Sequence, residues 1–121
     1  LAQIDLPVLK LDAGREHTFR LINRPARGVD FQPIVDLLGT LDGICLQTLL
    51  VDGVPSNVGE EDLQAYFDQV ARIRPNEVHT YSIDRPVPDQ HLVRVGPRRL
   101  QAIARRGREK TGVRMRAFWM A

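Results

Sequence analysis

Polar side chains recur where apolar, β-branched segments of this chain come to an end. Lys10 and Asp12 stand in "PVLKLDAG", Gln47, Thr48 and Asp52 in "LQTLLVDG", and Tyr81, Ser82, Asp84 and Arg85 in "TYSIDRPVP". In parallel α/β folds ligands bind at the carboxyl ends of the strands, where the βα loops gather. A lysine there supplies a cation, a short carboxylate accepts hydrogen bonds, and amides and hydroxyls fix orientation. The Asp84–Arg85 pair marks such a strand end, and Pro86 and Pro88 stiffen the loop that leaves it. The alternative is that Asp84 only caps and pairs locally. Lys10, Gln47 and Thr80 also interrupt segments that a sheet covered on both faces would keep apolar. They either line a cavity or are satisfied by structural partners, because a buried polar group needs one or the other.

Other chemical templates are missing. His17, His79 and His91 have no metal-ligand spacing, no glycine-rich phosphate loop is present, and no Ser-His-Asp arrangement emerges. The single cysteine, Cys45, permits no internal disulfide and by itself holds neither zinc nor an iron-sulfur cluster. Within "ICLQTLL" it reads as a small buried apolar residue. Arg20, Arg24 and Arg27 either hold an anionic group or belong to a solvated loop.

The elements that must position these residues follow from hydrophobic pattern. The chain has 121 residues, is 43% hydrophobic and carries a formal charge of +2, as one globular domain does. Strands are expected in "IDLPVLKLD", "ICLQTLLVD", "EVHTYSID" and "VRMRAFW". Between them, Ile34, Leu37, Leu38 and Leu41 form a helical stripe after an Asp30 cap, with Gly43 ending it. A second stripe, Leu63, Tyr66, Phe67 and Val70, follows an Asn57 cap and stops at Pro75. Pro97 opens a third helix that turns Leu100, Ile103 and Ala104 inward and Arg98, Arg99, Arg105, Arg106 and Arg108 outward, with Gly107 weakening it and Gly112 closing it. The long stretch Ala13 to Val29 holds a short helix around Glu16 to Ile22. Such alternation belongs to a parallel α/β architecture. No apolar run approaches the ~18 residues of a membrane span and no signal peptide precedes the first strand, so a cytoplasmic setting without membrane contact is expected. The chain starts at Leu1 and enters a strand almost at once, as a fragment of a longer polypeptide would.

At "PVLKLDAGREHTFRLINRP", "LQTLLVDGVPSN" and "EVHTYSIDRPVP" the sequence resembles the C-terminal half of a radical S-adenosylmethionine (SAM) enzyme core, over roughly residues 7 to 119. Within that superfamily it is most similar to iron-sulfur oxidoreductases related to the wyosine-forming enzymes. The resemblance implies a partial TIM-type (β/α)6 barrel, βαβαβαβ, with residues 1–121 as a single domain. It implies that Lys10 and Asp12 contact the methionyl or ribose portion of S-adenosylmethionine, that Gln47 and Thr48 face the cofactor, and that the Tyr81, Ser82 and Ile83 backbone runs beside the adenine. The family's CxxxCxxC motif, which ligates a [4Fe-4S] cluster, is absent and would belong to sequence before Leu1. The intact polypeptide would be the enzyme, and this chain alone would be inactive.

Two further readings stand beside that one. In the first, the basic residues between Arg94 and Arg116 make a non-catalytic module for RNA or another anionic partner. In the second, a small α/β domain without catalysis pairs its sheet edges in a homodimer. On the barrel-fragment reading, four parallel strands cannot close a barrel and leave flat edges exposed, so the isolated chain is expected to be poorly stable or to self-associate.

Overall fold

A computed structural model describes residues 6–84 and 91–120. Four strands, β1 (Val8–Lys10), β2 (Cys45–Leu49), β4 (Glu77–Tyr81) and β6 (Arg114–Ala117), pair in parallel in the order β1-β2-β4-β6. Parallel neighbours need a crossover, and each is helical. Helices α1 (Glu16–Asn23) and α2 (Phe31–Gly39) join β1 to β2, α3 (Glu60–Ile73) joins β2 to β4, and α4 (Pro97–Thr111) joins β4 to β6. A second, antiparallel pair, β3 (Val51–Val54) with β5 (His91–Arg94), rises from the loops after β2 and β4. The result is an α/β protein with a mostly parallel four-stranded sheet. Among the described residues no helix is long and apolar enough to cross a membrane.

The helix patterns explain the packing. The α3 stripe is buried as its spacing predicts, with Val70 wholly inaccessible. Its acidic first turn, Glu60, Glu61 and Asp62, meets the positive end of the helix dipole. In α4, Leu100, Ile103 and Ala104 are buried, Pro97 occupies the first turn, and Gly112 takes the left-handed conformation that ends the helix at φ 73°.

Several local expectations are corrected. Val35 and Leu38 face the core of α2 while Leu37 and Leu41 are exposed, because Phe31 anchors the helix against Phe19 of α1 and sets its rotation. Asp30 makes no side-chain cap. The Phe31 N–H is instead bonded by Glu16 Oε2 at 3.2 Å. Asn57 lies before the α3 cap, which is Gly59. The segment from Ile44 to Asp52 is not one strand but two, and β5 lies where no strand is expected, since its partner among the described residues is β3, a distant segment of the chain. Arg85, Pro86 and Pro88 lie outside the described residues.

Two glycines are fixed by close approach. A Cβ on Gly14 would sit 2.1 Å from the backbone N of Tyr66, so the loop after β1 lies directly on the α3 backbone. A Cβ on Gly107 would meet Met115 Sδ at 2.3 Å, so the glycine expected to weaken α4 instead lets it press onto β6. Backbone cannot retreat as a methionine side chain can. Gly14→Ala should therefore destabilise the protein by about 3 kcal/mol or more, and Gly107→Ala by about 1 kcal/mol, because overpacking there is partly offset by better helix propensity. Urea denaturation midpoints of the two variants will separate them, and equal midpoints would contradict this packing.

Candidate functional site

Successive residues of a strand point to opposite faces. The cross-strand row Leu9, Leu46, Val78 and Met115 lies on the face covered by the helices, where the last three are fully buried. The next row, Lys10, Gln47, His79 and Arg116, therefore lies on the opposite face and remains half-buried or exposed. Leu49 and Tyr81 continue that face toward the carboxyl ends of the strands. A polar, partly exposed face on a parallel sheet is unusual, because such sheets normally bury both sides. It is the main candidate site.

Lys10 reaches across β2 to Tyr81. Its Nζ donates to the Tyr81 hydroxyl at 2.6 Å, lies 3.6 Å from Asp12 Oδ2, and stands 5.3 Å from the centre of the Tyr81 ring. Burial works against the charge, but the Tyr81 hydroxyl and the Asp12 carboxylate more than offset it, so the Lys10 pKa is raised above its ordinary value. Lys10 is thus a fixed cation suited to holding an anionic or carbonyl oxygen, and a poor neutral nucleophile. Farther down the face, His79 packs edge-on against Phe118 at 4.7 Å. Its buried Nε2 lies 3.3 Å from Glu77 Oε1 yet out of line for a hydrogen bond. Arg116 and Arg114 approach the same carboxylate oxygen at 3.4 and 3.9 Å. Cys45 is buried beside this cluster, and burial pushes its thiol pKa up, which agrees with an inert apolar role.

The remaining candidate residues are placed differently. The Asp12 side chain is 3% exposed, with Oδ1 accepting from Leu49 N at 2.8 Å and Oδ2 from Asn23 Nδ2 at 2.9 Å. It joins the ends of β1 and β2 to α1. Thr48 lies on the helix-covered face, as its neighbour Gln47 on the open face requires, and bonds the Leu11 carbonyl and the Tyr66 hydroxyl. Thr80 likewise faces the helices and donates to Arg116 O at 3.1 Å. Ser82 donates to Leu50 O at 2.6 Å and accepts from Val95 N at 2.9 Å, pinning the two loops that carry β3 and β5. Ile83 lines an apolar cavity of about 190 Å³ with Leu21, Ile22, Leu49, Val51 and Leu92. Asp84 is exposed, and Asp52 pairs with Arg99 at 2.6 Å, which holds its carboxyl below the usual range. Arg20 pairs with Glu16 and Asp30 and is thereby engaged within the protein.

Asn57 is the residue that sequence reasoning misassigned. Buried at the centre of the loops, its amide nitrogen donates to Asp12 O at 2.8 Å and Leu49 O at 2.7 Å, while its oxygen accepts from Val51 N at 2.9 Å. The "VPSN" turn was its one sequence signal, since asparagine favours such backbone bonds. Its partners are distant in sequence and invisible there.

No family model, curated protein or solved structure matches the chain.

Two outcomes test this geometry. Asp12→Ala leaves the buried Leu49 N–H and the Asn23 amide without their acceptor, so it should cost about 3 kcal/mol and lower Tm by roughly 10 °C. A melt unchanged from wild type would remove Asp12 from the centre of the network. Lys10→Met should remove a pH-dependent contribution. Because the folded pKa of Lys10 lies above its unfolded value of 10.5, that contribution is complete below this pH and is lost as pH rises through the folded pKa. Solvent screening of the half-exposed ammonium keeps it under about 1 kcal/mol. Urea unfolding of wild type and variant should converge at alkaline pH, and a constant difference would refute the pairing.

Proposed function

We propose that this chain forms part of the wall of a radical SAM barrel and contributes contacts to S-adenosylmethionine and to substrate. The observation that carries this reading is the open polar face. Strands in consecutive parallel order, helices gathered on one side and Lys10, Gln47 and Tyr81 on the other are what a segment of barrel wall presents toward a lumen. The three motifs that resemble the superfamily supply the strand ends of that face and its loops.

The open-face residues fit the cofactor, and they do not fit the cluster. Lys10 offers a fixed positive charge to the methionyl carboxylate, Gln47 offers an amide beside it, and Tyr81 and Ser82 frame the flank where an adenine would lie. Asp12 positions Lys10 and the loops, its own oxygens already bonded within the protein. Thr48, on the other face, supports the wall through Tyr66. One cysteine is present, and among the described residues no group of three His, Cys, Asp or Glu side chains could hold a metal ion. On this reading, cluster ligation and the reductive cleavage that gives the family its radical chemistry would be supplied by other sequence of the same polypeptide. A reducing cytoplasm suits the free Cys45 thiol.

The alternative of RNA binding through α4 has weaker support. Arg99 and Arg106 of that helix are paired with Asp52 and Glu60, and Arg106 also lies over the Phe67 ring.

Calorimetric titration of S-adenosylmethionine into the chain tests the proposal. Lys10→Met and Gln47→Leu should each weaken binding by about tenfold, as the loss of one charge-assisted or well-placed hydrogen bond does. Leu37→Ser, on the exposed side of α2, should leave it unchanged. Anaerobic reconstitution of this chain should give no stoichiometric [4Fe-4S] absorbance. Affinity indifferent to both open-face variants would overturn the assignment of this face to the cofactor.

A further inference from the structure

β6 is a terminal strand of the sheet, so one of its sides has no strand neighbour among the described residues. In a parallel ladder the backbone groups of alternate residues turn to opposite sides. Phe118 N donates to Thr80 O at 2.9 Å, which directs the backbone of Arg114, Arg116 and Phe118 toward β4 and that of Met115 and Ala117 outward. The Met115 carbonyl accepts from Arg108 Nη1. Met115 is wholly buried, so its N–H is closed off, and the backbone groups of Ala117 are left to face a groove of about 370 Å³ between β6 and α4.

That groove has a distinct chemistry. Ala104, Met115 and Ala117 form an apolar floor, Trp119 closes one end, and Arg105 and Arg108 stand on its α4 rim. Neither of these two arginines makes an ion pair among the described residues. On the other side of the strand, Arg114 and Arg116 share the single carboxylate of Glu77. Phe118, Trp119 and Met120 follow in sequence, each at least 40% exposed. Consecutive exposed large apolar side chains next to an unpaired edge are a docking feature.

We propose that this edge takes up an extended segment of alternating acidic and aliphatic residues, which adds to the sheet as a further strand beside β6. Strand addition would satisfy the outward backbone groups of Ala117. Period-two alternation then places aliphatic side chains on the groove side, beside Ala117, and carboxylates opposite Arg114 and Arg116. A second copy of the chain is disfavoured as occupant. Two β6 edges brought together would set Arg105, Arg108, Arg114 and Arg116 against their equivalents, and the β1 edge would bring Lys10. A cationic edge of this kind opposes pairing between copies. An RNA strand would match the charge but leave the outward backbone groups and the apolar floor without complementary partners. This inference does not depend on the radical-enzyme reading.

Fluorescence anisotropy with the full chain provides the test. The probes are a capped, labelled Val-Glu repeat peptide of eight residues, its Val-Lys counterpart, a Val-Glu peptide N-methylated on alternate residues, and oligouridylate. The Val-Glu peptide should bind, the Val-Lys peptide should not, and N-methylation should weaken binding by at least tenfold. Arg114→Glu/Arg116→Glu should lose the Val-Glu peptide and gain the Val-Lys peptide. Absence of Val-Glu binding, insensitivity to N-methylation, or binding of oligouridylate that the Val-Glu peptide does not displace would each overturn the proposal.

Discussion

The carboxylate of Asp12 and the amide of Asn57 hold the carboxyl ends of the first two parallel strands together. A parallel sheet leaves its strand ends in loops whose backbone groups have no ladder to join, and each buried group without a partner costs ~1 to 3 kcal/mol. Asp12 accepts from the loop after β2 and from α1, while Asn57 bonds the backbone at Asp12, Leu49 and Val51. Ser82 does the same between the loops after β2 and β4. With these bonds in place, Gly14 can lie on the α3 backbone and the open face keeps its register.

The open face owes its character to the division of labour between neighbours. Where Thr48 and Thr80 turn toward the helices, their hydroxyls are absorbed by backbone carbonyls and by Tyr66. On the opposite face, Lys10 meets Tyr81 and Asp12, and His79 lies beside Glu77 and Phe118. The Tyr66 hydroxyl pKa is pushed up by complete burial, so it remains a neutral partner for Thr48. On the open side, Lys10 stays charged because Tyr81 and Asp12 outweigh its partial desolvation. Asp62 shows the same balance at the start of α3, where burial opposes ionisation but Arg15 and Thr18 hold its carboxyl below the ordinary range.

Much of the fold was legible in the sequence because local signals and tertiary demand agreed. The α3 and α4 stripes, the Pro97 start and the Gly112 stop were right, as was the short helix near Glu16. The α2 stripe was misplaced because its pattern admits two overlapping apolar faces, and contact between Phe31 and Phe19 chose between them. β3 and β5 carry no distinct signal of their own in the sequence, because each is four residues long and stabilised by the other. Of the candidate site residues, Lys10, Gln47 and Tyr81 came together on one face, whereas Asp12, Thr48 and Ser82 are held in bonds within the protein.

The sequence by itself determined the alternation of strands and helices, the buried side of α3 and α4, and the clustering of polar residues at strand ends, because these depend on periodicities of 3.6 and 2 along a short stretch. Which polar residues share a face depended on register between strands, and no local pattern encodes register with a distant partner. Adjacent residues such as Gln47 and Thr48 therefore look equivalent in the sequence and are opposite in the sheet. The reach of Lys10 to Tyr81, 71 positions away, and the bond from Asp12 to Leu49, 37 positions away, exist only once β1, β2 and β4 lie side by side. Tertiary structure alone decided those pairings, because only the assembled sheet brings such distant side chains within hydrogen-bonding distance.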